Sequence, residues 1–451
     1  MSFPRYPAYK PSGMEWLGQV PEHWNALPLR RLISKVSSGT SVNAIDEPAS
    51  PGQAGVLKTS CVYTGDFRPE ENKAILESEL ERATCPVVAG SLVVSRMNTP
   101  DLVGAAGLVK HDDPLLFLPD RLWQVSFQDS DPQFMNYWCK SVSYRSQVQL
   151  ACSGTSSSMQ NLSQDNFYSF IAPLPSKTEQ LVIARFLDRE TAKIDTLIAE
   201  QQRLIELLQE KRQAVISHAV TKGLNLNAAM KDSGVDWLGE VPEHWAFKKI
   251  KHTARMESGH TPDRKVEAYW VECDIPWVSL NDTGFLRDND YISETTYSIN
   301  ELGIQNSSAR LLPERVVVFS RDATIGRCAI TTRPMAVSQH FIAWVCGEEI
   351  LPEYLLLRLK SMTQELERLT FGATLKTIGM PDVKTLATPV PPISEQLEIV
   401  EYVAKAVSRL EEMSMKTRKA VELLQERRSA LISAAVTGQI DVRGLAQEVA
   451  A

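Results

Sequence analysis

Two short strands in this chain end on the same dipeptide: "SLVVSR" closes on Ser95-Arg96 and "RVVVFSR" on Ser320-Arg321. A turn and a glycine follow each, in "MNTPDLVG" and "DATIG". An arginine leaving a strand presents a rigid fork of donors that can grip a guanine edge or a phosphate. A surface arginine or a local salt bridge would leave the same pattern. Asn98, Thr324 and Arg327 lie in or beside the two turns and are candidate contacts with nucleic acid, as is Gln339.

Two local basic clusters stand in an otherwise acidic chain. "LRRLISKVSSGTS" carries Arg30, Arg31 and Lys35, and "FKKIKHTARMESGHTP" carries Lys248, Lys249, Lys251 and Arg255. Each leads into a turn, at Thr40 and at His260-Thr261, whose backbone can approach a phosphate. A solvated basic face is an equal reading for any single lysine. A third matched pair of polar turns, "GTSSSMQNLSQD" and "GATLKTIGMPD", offers Thr155, Ser157, Gln160 and Lys376, which serve equally well as loop and capping residues. The candidate DNA contacts are therefore Arg30, Lys35, Thr40, Arg96, Asn98, Thr155, Ser157, Gln160, Lys248, Lys251, His260, Thr261, Arg321, Thr324, Arg327, Gln339 and Lys376.

No catalytic motif accompanies them. The sequence has no G-x-x-x-x-G-K-[ST] loop, no glycine-rich cofactor fingerprint after a strand, no H-E-x-x-H and no Asn/Asp-Pro-Pro-aromatic motif, for which "DPLLF" is a poor substitute. "ENK" at Glu71–Lys73 lacks a suitably spaced acidic partner. Seven cysteines form no C-x-x-C pair, which argues against zinc ribbons and disulfide frameworks and fits a reducing cytoplasm. No run of about 18 apolar residues is present, and the N-terminus has no signal-peptide pattern, so a cytoplasmic protein with no membrane partner is expected. The net charge of −7 counts mildly against a nucleic-acid binder, although local patches outweigh the total.

The elements that would position these residues are written twice. "EWLGQVPEHW" begins at Glu15 and "DWLGEVPEHW" at Asp236, 221 positions on. "TEQLVIARFLDRETAKID" begins at Thr178 and "SEQLEIVEYVAKAVSRLE" at Ser394, 216 positions on, and the match continues without a gap through "AVISHAVT" and "ALISAAVT". Each half runs in the same order: the W-L-G phrase, a mixed strand–helix region, a proline-rich hinge and a long helix. The ends of the halves match and the middles do not. Similar frames holding dissimilar inserts suggest two tasks of one kind with different targets. The phrase itself reads as a packed loop, since neither His23 nor His244 has a second metal ligand nearby in sequence.

The long helices start after prolines and carry a three–four apolar rhythm: Ile194, Leu197, Leu204, Leu208 and Val215 in the first, Leu410, Met413, Ala420, Leu424 and Leu431 in the second. Gln201 and Thr417, then Lys211 and Arg427, fall at equivalent seam positions. Antiparallel pairing would bring Gln201 near Ala420 and Leu204 near Thr417, with a polar contact fixing register. Long core helices are the plainer alternative.

Together, the hinge helices "PLPSKTEQLVIARFLDRETAKID" and "PPISEQLEIVEYVAKAV", the run "SGHTP…IPWVSLNDTG" from Ser258 and the doubled phrase resemble the specificity subunit of type I restriction–modification systems. The similarity covers nearly the whole chain; "SSGTSV" replaces the fuller Gly-x-Thr-Pro turn in the first half. The resemblance implies an α+β fold: two mixed α/β target-recognition domains separated by two long helices in an antiparallel coiled coil, an internal pseudo-twofold duplication. The expected divisions are 1–175, target-recognition domain 1; 176–222, long helix 1; 223–390, target-recognition domain 2; 391–440, long helix 2; and 441–451, a tail. It implies a non-catalytic chain that reads a split target in double-stranded DNA and docks two methyltransferase subunits, which two motor-nuclease subunits can join. S-adenosylmethionine, ATP and Mg would sit on those partners and none in this chain. A specificity subunit of a fused nuclease–methyltransferase system, a coiled-coil scaffold that reads no DNA and an enzyme with unfamiliar motifs are the other classes open to the sequence.

Overall fold

A computed structural model describes residues 3–156, 159–235, 237–372 and 376–446, apart from the side chains at 153–156 and 446. Two helices dominate it, α1 (Lys177–Lys222) and α2 (Ile393–Val436). Both are rich in Leu, Ala, Glu, Gln, Lys and Arg, contain no glycine or proline, and follow Pro175 and Pro392. Gly223 and Gly438 come just after them with φ near +75°, a backbone that stops a helix cheaply only at glycine. The chain packs as two units, Met1–Gln202 with Lys419–Ala451, and Arg203–Arg418. Each unit is therefore a sheet region plus part of each helix, a different division from one drawn at helix ends.

Within each unit the helix segments run antiparallel. In the first, Ile183 and Leu187 near the start of α1 share a core with Ile432 and Val436 near the end of α2. In the second, Ile216 and Val220 near the end of α1 share a core with Ile399 and Val403 near the start of α2. Asp195 pairs with Arg428 at 2.8 Å in the first unit, and Glu411 with Arg212 at 3.3 Å in the second. Asp195 and Glu411 are 216 positions apart, as are Arg212 and Arg428. The duplication has thus written one ion pair twice.

Burial corrects the seam. Ile194, Gln201, Leu208, Val215, Leu410, Thr417, Leu424 and Leu431 are buried or half-buried, whereas Leu197, Leu204 and Met413 are exposed. Ile198, Ile205 and Ser414, each one residue further on, take the inner places. Ala420 is half-buried beside an equally half-buried Val421. The reason is arithmetic: steps of three and four flank the 3.6-residue turn, so adjacent apolar residues such as Leu197-Ile198 and Leu204-Ile205 fit either reading. Arg212 and Arg428 likewise occupy the polar seam places expected for Lys211 and Arg427.

The first unit's main sheet holds β1 (Ile33–Ser38), β2 (Leu92–Ser95), β3 (Ala106–Leu108) and β4 (Leu122–Phe127) in the order β3-β2-β4-β1, all antiparallel. The second holds β5 (Ala254–Ser258), β6 (Tyr291–Ile292), β7 (Val317–Ser320), β8 (Cys328–Thr331) and β9 (Phe341–Cys346) in the order β5-β9-β7-β8-β6. Four strands correspond, and β6 adds a parallel edge. The units diverge in a second sheet, five-stranded in one and three-stranded in the other. Gly39 and Gly259, just past β1 and β5, show how closely the frame is copied. A Cβ there would lie 1.5 Å from the Leu118 carbonyl oxygen and 1.6 Å from that of Val337, so only glycine admits the crossing backbone.

The doubled phrase brackets each helix start. Trp24 and Trp245 are fully buried. Trp24 Nε1 donates to Glu179 Oε1 at 3.2 Å, and Trp245 Nε1 to Glu395 Oε2 at 3.0 Å. His23 and His244 each lie against the same carboxylate, at 3.0 and 2.9 Å. Both glutamates sit in a first helical turn, where negative charge is favoured. The following residues, Gln180 and Gln396, accept the backbone N–H of Asp131 and Leu351 at 2.7 and 2.9 Å, fixing the segment that leads into the short helix beyond each main sheet. The Glu-Gln pair recurs because each side chain ties a separate segment to the helix.

Candidate nucleic-acid interface

The strand-exit arginines occupy equivalent backbone positions. Arg96 N donates to Arg121 O at 3.0 Å and Arg96 O accepts from Leu162 N; Arg321 N donates to His340 O at 3.0 Å and Arg321 O accepts from Ile378 N. Their side chains do different work. Arg321 Nε donates to Gln339 O at 3.2 Å and Nη1 to Ile378 O at 3.1 Å, so this guanidinium braces the neighbouring loops. Arg96 stacks over the Trp123 ring, 5.6 Å from its centroid, and its buried Nε has no partner among the described residues.

In the second unit a polar network surrounds Arg321. Asp322 is 4% exposed; its carboxylate accepts from Thr377 Oγ1 and lies 2.7 Å from His340 Nδ1. A carboxylate only accepts, so Nδ1 carries the hydrogen. In neutral His340, Nε2 is then an acceptor, and Gln339 Nε2 lies 3.3 Å from it. Gln339 Oε1 accepts from Thr261 Oγ1 at 2.5 Å. Thr261, Gln339 and His340 border a hollow of about 270 Å³ that also meets Arg264, Asn281 and Ser338, whose buried hydroxyl has no partner among the described residues.

A broader hollow of about 690 Å³ adjoins the turn after β7 and collects Arg212, Arg287, Arg327, Lys360 and Lys376 against one acid, Glu367. Arg212 and Lys360 are held by Glu411 and Asp290, whereas Arg287 and Arg327 form no ion pair with any described residue. Thr324 is exposed in the same turn, next to Ala323, a non-glycine residue at φ +59°.

The first unit presents different chemistry at the same sheet end. Where Gln339 and His340 precede β9, Asp120 and Arg121 precede β4, both exposed. Thr40 Oγ1 meets Thr84 Oγ1 at 2.6 Å. Asn98 is buried and donates to Tyr63 OH and Ser95 Oγ, which makes it part of the frame. Gln160 is half-buried, opposite Asn98 in a strand pair. Ser157 and the Thr155 side chain lie outside the described residues. A hollow of about 560 Å³ in this unit is lined by Asp66, Asp188 and Asp195 as well as Lys110, Lys140 and Arg428, so it has no net basic character.

The structure gathers Thr261, Arg321 and Gln339 at one sheet end, with Thr324, Arg327 and Lys376 on the adjoining turn and hairpin. The basic clusters stand elsewhere. Lys248 pairs with Glu349 at 2.8 Å, beyond the far end of β9, and exposed Lys251 precedes β5. Arg30 likewise precedes β1, and Lys35 projects from it, both exposed. His260 is exposed while its carbonyl accepts from Trp277 Nε1. Sequence reasoning missed Asp120, Arg121, Asp322 and His340. Setting "DRLWQVSF" against "QHFIAWVC", the segments that carry β4 and β9, would have exposed three of them.

A family model described as "Type I restriction modification DNA specificity domain" matches residues 242–422. The specificity subunit of the MjaIX type I restriction enzyme of Methanocaldococcus jannaschii is 28% identical over 42% of this chain and 43% of its own length, so that match spans less than half of the relative. The putative MjaX specificity subunit of the same organism is 19% identical over 95% of this chain and 96% of its own. A chain from a structure of complex assembly and conformational transition in a type I system superposes with a TM-score of 0.66, covering 92% of this chain and 98% of that one at 17% identity, a likeness of fold. No described helix is long and apolar enough to cross a membrane. Residues 242–422 thus match a type I restriction–modification DNA specificity domain, and along nearly its whole length the chain is similar in sequence and fold to specificity subunits of such systems.

Proposed function

We propose that each unit reads one half of a split target in double-stranded DNA, and that this chain supplies recognition while partner subunits supply chemistry. One observation carries the reading: two equivalent sheet ends present different polar side chains, Asp120 and Arg121 in one and Gln339 and His340 in the other. One backbone frame with two sets of donors and acceptors suits two different half-sites. The basic hollow with Arg287 and Arg327 suits the phosphate backbone beside the second half-site. The long helices set the gap between half-sites and dock two methyltransferase subunits. Matched exposed apolar side chains on them support two equivalent partners: Leu181 and Leu397, Leu197 and Met413, Leu207 and Leu423, each pair 216 positions apart. S-adenosylmethionine binds those methyltransferases, and ATP and Mg the motor-nuclease subunits that join them. The net charge of −7 is compatible with this, because the partners also surround the duplex.

Modified-base sequencing of the host genome, with and without this gene, tests the proposal. The expected result is loss of adenine methylation at one motif made of two short specific parts around a fixed gap. An unchanged methylation map contradicts it.

A further inference from the structure

We infer that Gln339 is a direct base reader of the second unit, and that it selects adenine. This rests on the reading of the chain as a DNA-recognition subunit and goes beyond it by naming a residue and a base. A primary amide has two donor hydrogens and two acceptor lone pairs. In Gln339 one lone pair is taken by the Thr261 hydroxyl and one hydrogen faces His340 Nε2. One acceptor and one donor remain, the complement of adenine N6–H and N7 in the major groove.

The amide is also held before any ligand arrives. Buried Asp322 fixes the His340 tautomer through Nδ1, and Thr377 anchors Asp322. Arg321 clamps the Gln339 backbone carbonyl. With neutral His340, a flipped amide would set its oxygen against an acceptor nitrogen, so in that state the network specifies which end of the amide is donor and which acceptor. Fixing a long side chain in advance removes much of the ordering cost of contact and sharpens discrimination. Gln339 is only half-buried, at the rim of the hollow, and remains accessible to a base edge.

The test is selection of bound duplexes from a randomised library by the full chain assembled with its methyltransferase subunits. The wild-type motif should contain an adenine at one position of one half-site. Gln339→Ala should flatten preference at that position by roughly ten- to a hundred-fold while leaving the other half-site sharp, which also shows that the variant folds. Gln339→Glu, which only accepts, should turn the preference towards cytosine, and Gln339→Arg towards guanine. Thr261→Val removes a positioning hydroxyl and should weaken the same position by a smaller factor. A motif that Gln339→Ala leaves unchanged, or a change spread over both half-sites, overturns the inference while the DNA-recognition reading stands. A wild-type assembly that selects no motif overturns that reading and this inference with it.

Discussion

The two units share a frame and differ at its tips. Gly39 and Gly259 admit the same backbone crossing, Glu179 and Glu395 hold the same tryptophan, and Arg212 and Arg428 close the same ion pair. At the end of each main sheet the likeness stops. Asp120 and Arg121 project freely in the first unit, whereas Gln339 and His340 are locked into a network in the second. The difference teaches where duplication is constrained. Positions that fix backbone geometry keep their residue type, and positions that face outward at a loop are free to acquire new hydrogen-bonding patterns.

The comparison can be broken at several places, with effects of declining size. Gly39→Ala and Gly259→Ala should each destabilise their own unit by about 3 kcal/mol or more, since a methyl cannot occupy the site of a carbonyl oxygen. The two thermal unfolding shifts should be alike; a mild effect in either would mean that the crossing differs. Glu179→Ala should cost more than Glu395→Ala. Glu179 is 6% exposed and also accepts the Tyr6 hydroxyl at 2.8 Å, which burial and that bond hold protonated well above the ordinary tyrosine range. Its loss strands two buried donors and should cost about 3 kcal/mol, against about 1 kcal/mol for Glu395, which holds one buried donor. Equal losses in chemical denaturation would contradict this asymmetry.

A third contrast runs the other way. Six residues past the proline that opens a short helix, Trp138 fills the first unit's core and Arg358 the second's. Burial lowers the Arg358 guanidinium to about 10, and Nε and Nη2 lack partners among the described residues, although the group lies over the Trp237 ring. Arg358→Met should therefore raise the melting temperature, by about 1 kcal/mol of stability, and a fall would show that the stacked cation is favourable. The smallest effect belongs to the repeated ion pair. Its members are partly exposed, so Arg212→Ala and Arg428→Ala should each cost about 0.5 kcal/mol, and equally.

Much of this architecture was legible because duplication allows a sequence to be read against itself. The doubled phrase and the Glu-Gln helix starts gave the two halves and both long helices. The seam was half-legible: Gln201 and Thr417 face inward, but Leu197, Leu204 and Met413 lost their places to neighbours. In these two helices leucine is as common on exposed faces as at inner places, and the alternation of threes and fours does not choose between adjacent residues. The interface was less legible still. Arg321 is spent on backbone carbonyls, and Lys248 on Glu349. Gln339 acquires its significance from Thr261 and His340, and Thr261 lies 78 positions away. No local pattern reports a contact made by the return of a strand.

The most direct test of two units reading two half-sites is the base-preference map of the assembled complex with Asp120→Ala and Arg121→Ala combined. One half-site should lose definition while the other half-site and the gap between them stay as in the wild type. Simultaneous loss of both half-sites, or a map that does not change, would contradict it.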